Sequence, residues 1–384
     1  MRVYLDNNAT TPLRPEAREA MLVALNAHGN ASSVHREGHA ARHGLDIARR
    51  DVAALVETDP DTVVFTSGGS EANALAMHGA IQAAAEAGHR VTRLVVSAIE
   101  HDSVLATASR CEQMYPGLRL IACPVDSDGR VSLDDLRRIL MEGKGRALVS
   151  VMAVNNETGV IQPVAAAARL AHDHGAQFHC DAVQAAGKIK VSMSDFGADY
   201  LTVSAHKLGG PQGAGAVIRT ATGVPMAAQL HGGQQEFGYR AGTQNVAAIA
   251  GFGAAARVAR EIHASPMRRD RFEQRLKALC PTAVIFGEKA DRVANTTCIA
   301  VPNVPAETVL IALDLDGFAV SAGAACSSGK VARSHVLAAM GHDAQLTTSA
   351  IRISTGWQTK DQDLDAFADA WGRIINRARA RTAA

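Results

Sequence analysis

Val63-Val64-Phe65-Thr66-Ser67-Gly68-Gly69-Ser70-Glu71-Ala72-Asn73 is a short apolar run that ends in small polar residues and passes into an Ala-rich stretch reaching Ala87. Four successive apolar or β-branched residues suit a strand covered on both faces. Gly-Gly-Ser is the punctuation that turns such a strand into a helix. The same pattern recurs. Arg93-Leu94-Val95-Val96-Ser97, Ala147-Leu148-Val149-Ser150-Val151-Met152 and Tyr200-Leu201-Thr202-Val203-Ser204 read as buried strands, with helical segments such as Glu71 to Ala87 and Val164 to His174 between them. Alternation of this kind predicts an α/β fold, a mostly parallel sheet flanked by helices. Ligands of such sheets bind outside the carboxyl ends of the strands.

Beyond about residue 260 the texture changes. Met267 to Leu279 reads as a charged amphipathic helix, Thr296 to Val301 and Val320 to Ala322 as short strands, and Asp361 to Ala380 as a closing helix. The expected organisation is a large domain over 15–260 and a smaller α+β domain built from 1–14 and 261–384. No internal repeat or long linker interrupts it.

Bulk properties exclude several classes. A formal charge of +1 and an aromatic content of 4% give no footing for nucleic acid. The longest apolar candidate, Ala147 to Val154, is strand-sized, so no membrane span is expected. Asp6 interrupts the N-terminus before any apolar signal core, and a cytoplasmic protein is the expectation. The six cysteines include no C-x-x-C pair, so they form neither a disulfide framework nor a zinc ribbon.

The polar residues at the predicted strand ends carry the chemistry. Ser67-Gly68-Gly69-Ser70 precedes a helix, and backbone N–H groups there suit an anion such as phosphate. His101, in Ser97-Ala98-Ile99-Glu100-His101, is placed to stack on a ring or carry protons. Asn156, in Val154-Asn155-Asn156-Glu157-Thr158-Gly159, is a hydrogen-bond donor at another strand end. Asp181 follows Phe178-His179-Cys180, and Lys207 lies in Ser204-Ala205-His206-Lys207-Leu208-Gly209-Gly210. A lysine amine that forms a Schiff base with an aldehyde, and a carboxylate that keeps a ring nitrogen protonated, are the two requirements for holding pyridoxal 5'-phosphate. Each motif alone has an ordinary reading as a turn, an N-cap or a solvated side chain. Five in order at strand ends favour the cofactor.

These residues, with Tyr4-Leu5-Asp6-Asn7-Asn8-Ala9-Thr10-Thr11-Pro12, His179-Cys180-Asp181-Ala182-Val183-Gln184, Arg240-Ala241-Gly242-Thr243, Ala325-Cys326-Ser327-Ser328-Gly329 and Ile351-Arg352-Ile353-Ser354, make the chain resemble the cysteine desulfurases. That family is the class V branch of the fold-type I pyridoxal-phosphate transferases. The resemblance runs nearly the full length and implies a role for each matching residue. Lys207 would form the Schiff base. His101 would stack on the ring and assist proton transfer, and Asp181 would pair with the ring nitrogen. Gln184 and Asn156 would face the phenolic oxygen. Gly69, Ser70, Ser204 and His206 would hold the phosphate, with Thr243 arriving from the second subunit of a homodimer. Arg352, with Asn156, would bind the substrate carboxylate. Cys326, set among small residues and glycines, would attack the sulfur of L-cysteine, retain it as a persulfide and leave L-alanine. An iron-sulfur scaffold or other sulfur-acceptor protein would then receive it.

The chain departs from the family pattern in places. Ala31 stands where relatives often have proline, Ser70 where threonine is common, and Ala322 and Ala324 where serines are frequent. The short stretch after the last predicted helix points to a nitrogen-fixation-type role. Two rivals remain at this level: a selenocysteine lyase or other class V enzyme that does not need Cys326, and a metal-binding module using His172, His174, His179 and Cys180. The two-residue spacing of His172 and His174 disfavours the latter, because residues so placed do not share a helical face.

Overall fold

The computed structural model describes residues 2–220, 224–261, 265–323 and 333–382. Thirteen strands are found among them: β1 (Val3–Tyr4), β2 (Val63–Thr66), β3 (Val91–Ser97), β4 (Arg119–Cys123), β5 (Arg146–Ser150), β6 (Gln177–Asp181), β7 (Tyr200–Ser204), β8 (Gly215–Arg219), β9 (Val284–Ile285), β10 (Thr296–Ala300), β11 (Phe318–Ala319), β12 (Ser321–Ala322) and β13 (Ala350–Ser354). The helices are α1 (Pro15–Asn26), α2 (Arg36–Leu55), α3 (Gly69–Glu86), α4 (Asp102–Met114), α5 (Leu133–Glu142), α6 (Val164–Asp173), α7 (Met193–Phe196), α8 (Val246–Arg260), α9 (Pro266–Leu279), α10 (Ala306–Leu315), α11 (His335–Ala339), α12 (Ala344–Thr347) and α13 (Asp361–Thr382).

Seven strands form the main sheet, in the order β2-β8-β7-β6-β5-β3-β4. Its pairings are parallel except on either side of β8, which runs against both β2 and β7. Because β8 alone is reversed, β2, β3, β5, β6 and β7 all end at the same edge. The alternation of side chains along a strand decides what covers each face. Val63, Phe65, Val95, Val149, Leu201 and Val203 enter one apolar core with Leu45, Val52, Leu136, Ala167 and Phe252 from α2, α5, α6 and α8. Their neighbours Val64, Leu94, Val96, Leu148 and Tyr200 enter a second core with Leu75, Met77, Val104 and Ala108 of α3 and α4. Both faces are dry, which is why these strands read as unbroken apolar runs.

The second sheet is antiparallel, in the order β12-β13-β10-β9. Ile285, Ile299, Ile351 and Ile353 pack on one side against Phe272, Leu276, Leu313, Phe367 and Trp371 of α9, α10 and α13. Cys298, Ala300 and Ala350 pack on the other against Val336 and Leu337 of α11, together with Ile99 and Met152 from the main-sheet edge. Leu5 joins the core of this smaller sheet, and β1 pairs in parallel with β11. The segment that follows crosses between the sheets: Asn7 N–H donates to Ser354 O at 3.2 Å, and Thr11 N–H to His206 O at 2.9 Å.

A buried ion pair fixes the connection leading into α8. Arg49 donates both terminal nitrogens to the Glu236 carboxylate at 2.8 and 2.9 Å. Phe65 N–H also donates to Glu236, at 2.8 Å. The guanidinium lies between the rings of Phe65 and Phe237, 4.7 and 4.9 Å from their centroids. Glu236 and Phe237 hold φ of 48° and 59°, a left-handed conformation that costs a non-glycine residue energy and that the clamp maintains.

Candidate active site

The shared strand edge opens on a cavity of about 300 Å³ between the two sheets. It is lined by Gly69 and Ser70 after β2, His101 and Ser103 after β3, Asn156 after β5, Asp181, Val183 and Gln184 after β6, and Ser204, His206 and Lys207 after β7. Arg352 closes it from β13 and Asn8 with Ala9 from the crossing segment. Ten residues expected from the sequence to act together thus meet in one place: Gly69, Ser70, His101, Asn156, Asp181, Gln184, Ser204, His206, Lys207 and Arg352. Thr243 does not line the cavity and is exposed. Cys326 lies outside the described residues.

Lys207 sits in a single helical turn after β7, and its Nζ donates to Asn8 O at 2.6 Å and to Ala9 O at 2.9 Å. Two main-chain carbonyls thus hold the amine. Asp181 ends β6. Its Oδ1 accepts from Val183 N–H at 2.9 Å, and its Oδ2 from Asn73 Nδ2 at 2.8 Å. His101 caps α4, its Nδ1 accepting from Ser103 N–H at 3.1 Å. Burial lowers the basicity of His101, with Asp181 opposing and Lys207 reinforcing the effect. His206 is pushed down to about 4, by burial first and then by Lys207, so its ring is neutral at pH 7. Burial also holds the Glu100 carboxyl well above its usual range, with Asp181 adding to the effect.

Gln184 donates through Nε2 to Asn8 O at 2.9 Å, and its Oε1 accepts from Lys188 Nζ, which also reaches Asn8 Oδ1 at 2.8 Å. Arg352 donates to Asn156 O at 3.0 Å and to Asp6 Oδ1 at 2.8 Å, leaving its buried Nε unsatisfied. The side chains of Asn73, Ser103 and Lys188, and the carbonyls of Asn8 and Ala9, are components the sequence reading does not single out. A main-chain carbonyl leaves no signature in a sequence; Asn73 was visible only as part of the Gly-Gly-Ser motif.

The cavity suits pyridoxal 5'-phosphate on the structure's own terms. The Ser204 hydroxyl is buried with no hydrogen-bond partner among the described residues, as expected of a group that serves a ligand. It adjoins the N-terminus of α3, and a Cβ at Gly69 would sit 3.0 Å from Val183 and 3.3 Å from Ser204, so a larger residue there would crowd this cradle. The one acid in the first turn of α3, Glu71, is turned away to Ser67 N–H and Arg240, both within 2.9 Å. An amine, a carboxylate and an anion cradle therefore face one space.

The residues of the metal-site rival are otherwise engaged. His172 bonds Asp199 at 2.9 Å, His174 the Leu170 carbonyl at 2.9 Å, and His179 Ser150 at 2.8 Å. Cys111, Cys123, Cys180, Cys280 and Cys298 are buried and free. Burial pushes the Cys111 and Cys123 thiols up to about 12, which leaves no thiolate there at neutral pH.

Comparison with known proteins gives a consistent result. The aminotransferase class-V family model matches residues 3–367. A cysteine desulfurase of Cereibacter sphaeroides is 42% identical over 383 residues, covering 99% of this chain and 97% of that protein. The cysteine desulfurase IscS of Dictyoglomus turgidum is 38% identical, covering 98% and 95%. Among solved structures, a NifS-like protein superposes with a TM-score of 0.88 at 33% identity, covering 98% of this chain and all of that one. A structure of SspA in complex with cysteine superposes with a TM-score of 0.79 at 27% identity, covering 92% of this chain and 98% of that one.

Proposed function

The chain belongs to the aminotransferase class-V family, in its cysteine desulfurase branch, and from that premise we propose that it takes the sulfur of L-cysteine onto Cys326 and releases L-alanine. The observation that carries this reading is the meeting of Lys207, Asp181, His101 and Arg352 in one cavity. Pyridoxal 5'-phosphate, when bound, supplies an electron sink for the carbanion at the substrate's Cα. Lys207 would hold it through its amine, Asp181 would face its ring nitrogen, and Gln184 and Asn156 its phenolic side. Gly69, Ser70, Ser204 and His206 would receive the phosphate, with Thr243 from a second copy.

The chain's own residues then divide the work. Arg352 orients the substrate by its carboxylate, a planar guanidinium matching two oxygens. Lys207 and His101 move protons at the substrate's Cα and its carbon skeleton. The Cys326 thiolate forms an S–S bond to the substrate sulfur as the C–S bond breaks, and the electron pair of that bond stays with carbon, which is protonated on the way to alanine. Cys326 is left as a persulfide. The burial of the five described cysteines supports this choice of acceptor.

The same reading includes a homodimer, a cytoplasmic location, and delivery of sulfur to an iron-sulfur scaffold or other acceptor protein, with nitrogen fixation as one such setting. It divides the chain into 15–260 and a smaller unit of 1–14 with 261–384; the two sheets with separate apolar cores support that division. No helix among the described residues is long and apolar enough to cross a membrane.

The test is incubation of the holoenzyme with L-cysteine, followed by intact-mass analysis and an alanine assay. One added sulfur on Cys326 and release of alanine are expected. Cys326→Ser should keep the yellow colour and stop alanine release. Turnover by that variant at the wild-type rate would favour a lyase that does not need the thiol.

A further inference from the structure

Asn73 of α3 is 1% exposed and spends every hydrogen-bonding group of its amide within the site. Its Oδ1 accepts from Thr202 Oγ1 at 2.5 Å. Its Nδ2 donates to Asp181 Oδ2 at 2.8 Å and to Ser103 Oγ at 2.9 Å. These directions are fixed by the groups involved. A carboxylate only accepts, so the amide nitrogen faces Asp181, and the amide oxygen then requires Thr202 as donor. Ser103 Oγ receives a hydrogen from Asn73, which turns its own hydrogen toward His101 Nδ1, 2.9 Å away. Ser103 N–H points at the same nitrogen from 3.1 Å. With two donors aimed at it, Nδ1 carries no hydrogen.

We propose that Asn73 and Ser103 are positioning residues that fix His101 as the tautomer with its hydrogen on Nε2 and tie that choice to the carboxylate of Asp181. This rests on the desulfurase reading and deepens it. His101 meets the reacting molecule as a donor at Nε2. The group opposite the ring nitrogen and the group that handles protons are joined through Asn73, so a disturbance of one is felt at the other. Protonating Nδ1 would set a hydrogen against two donors. The charged groups around His101 are Asp181 of β6 and Asp102 of α4, which favour the cation, and Lys207 after β7 and His335 of α11, which oppose it. Removing the Ser103 hydroxyl takes away one of the donors that disfavour the cation. The imidazole then protonates at higher pH.

The test uses the holoenzyme with Ser103→Ala, Ser103→Thr and His101→Gln, alone and combined. Ser103→Ala is expected to lower kcat by about tenfold with little change in KM. It should also move the acidic midpoint of the kcat–pH profile upward, while Ser103→Thr, which keeps the hydroxyl, restores both. In the His101→Gln background Ser103→Ala should have no further effect, because it acts through the histidine. Imidazole 15N resonances of His101 in the wild type should report the Nε2–H tautomer. A wild-type midpoint in Ser103→Ala, an equal loss in the His101→Gln background, or an Nδ1–H tautomer overturns the proposal. A wild-type holoenzyme that makes no alanine from L-cysteine overturns the desulfurase reading instead, and the 15N spectrum still decides the tautomer.

Discussion

The Lys207 amine is held by the main-chain carbonyls of Asn8 and Ala9. Replacing it leaves those carbonyls open to water in the cavity. Lys207→Ala is therefore expected to fold normally, to lack the visible absorbance of the wild-type holoenzyme, and to show no turnover. Persistence of that absorbance would refute the assignment. Arg352 engages Asp6 and Asn156 O, so its charge is anchored but its Nε remains unsatisfied. Arg352→Gln should lower kcat/KM for L-cysteine by about 10- to 100-fold, as measured by initial rates, because a charged hydrogen bond to the substrate carboxylate is lost. The residues legible from the chain's own pattern are those whose chemistry resides in a side chain after an apolar run, Lys207, Asp181 and His101; Arg352, inside β13, was legible only through the family resemblance. Asn8 and Ala9 act through main-chain oxygens that any residue carries. Asn73 and Ser103 act only through other residues, and their spacing with Asp181 exists in space and not along the chain.

Strands β2, β3, β5 and β7 were legible because burial on both faces demands continuous apolar runs, and they fall within a residue or two of the expected ranges. The order of the sheet was not legible. Reversal of β8 depends on the return over residues 205–214, and no periodicity marks which neighbour a strand selects. β6 carries a consequence of its own. His179 is fully buried, and burial holds its ring down to about 4. The unfolded chain takes up this proton near pH 6.5 and the folded chain does not until about pH 4, so between these values the unfolded state binds more protons and stability falls as pH falls. The expected loss is about 3 kcal/mol across that window, and His179→Asn should flatten the acid limb of a Tm–pH curve. The connection before α8 depends on the Arg49–Glu236 clamp, whose side chains are 8% and 1% exposed. Arg49→Ala strands a buried carboxylate and should cost about 3–5 kcal/mol in urea unfolding.

At the scale of the whole molecule, a concavity larger than the active-site cavity lies elsewhere. A groove of about 810 Å³ runs between α1, α2 and α8, lined in part by Val23, Leu25, Ile47 and Val246. Val23 and Leu25 are 67% and 65% exposed, an uncovered apolar surface on α1. In the proposed homodimer this face would be covered, and Thr243 would reach the other copy's cavity. Val23→Asp with Leu25→Asp is expected to shift sedimentation from dimer to monomer and to weaken cofactor retention; a dimer unaffected by both changes would place the interface elsewhere. The crossing segment has a different kind of consequence. Asp6 pairs with Arg352, and Asn7 and Asn8 with Ser354, across 346 to 347 positions of chain. During synthesis the partners of Asp6, Asn7 and Asn8 on β13 are made long after the strap itself. Closure of the strap over the pocket is thus completed only when β13 is in place, and locking of the substrate-side arginine Arg352 belongs to a late stage of folding.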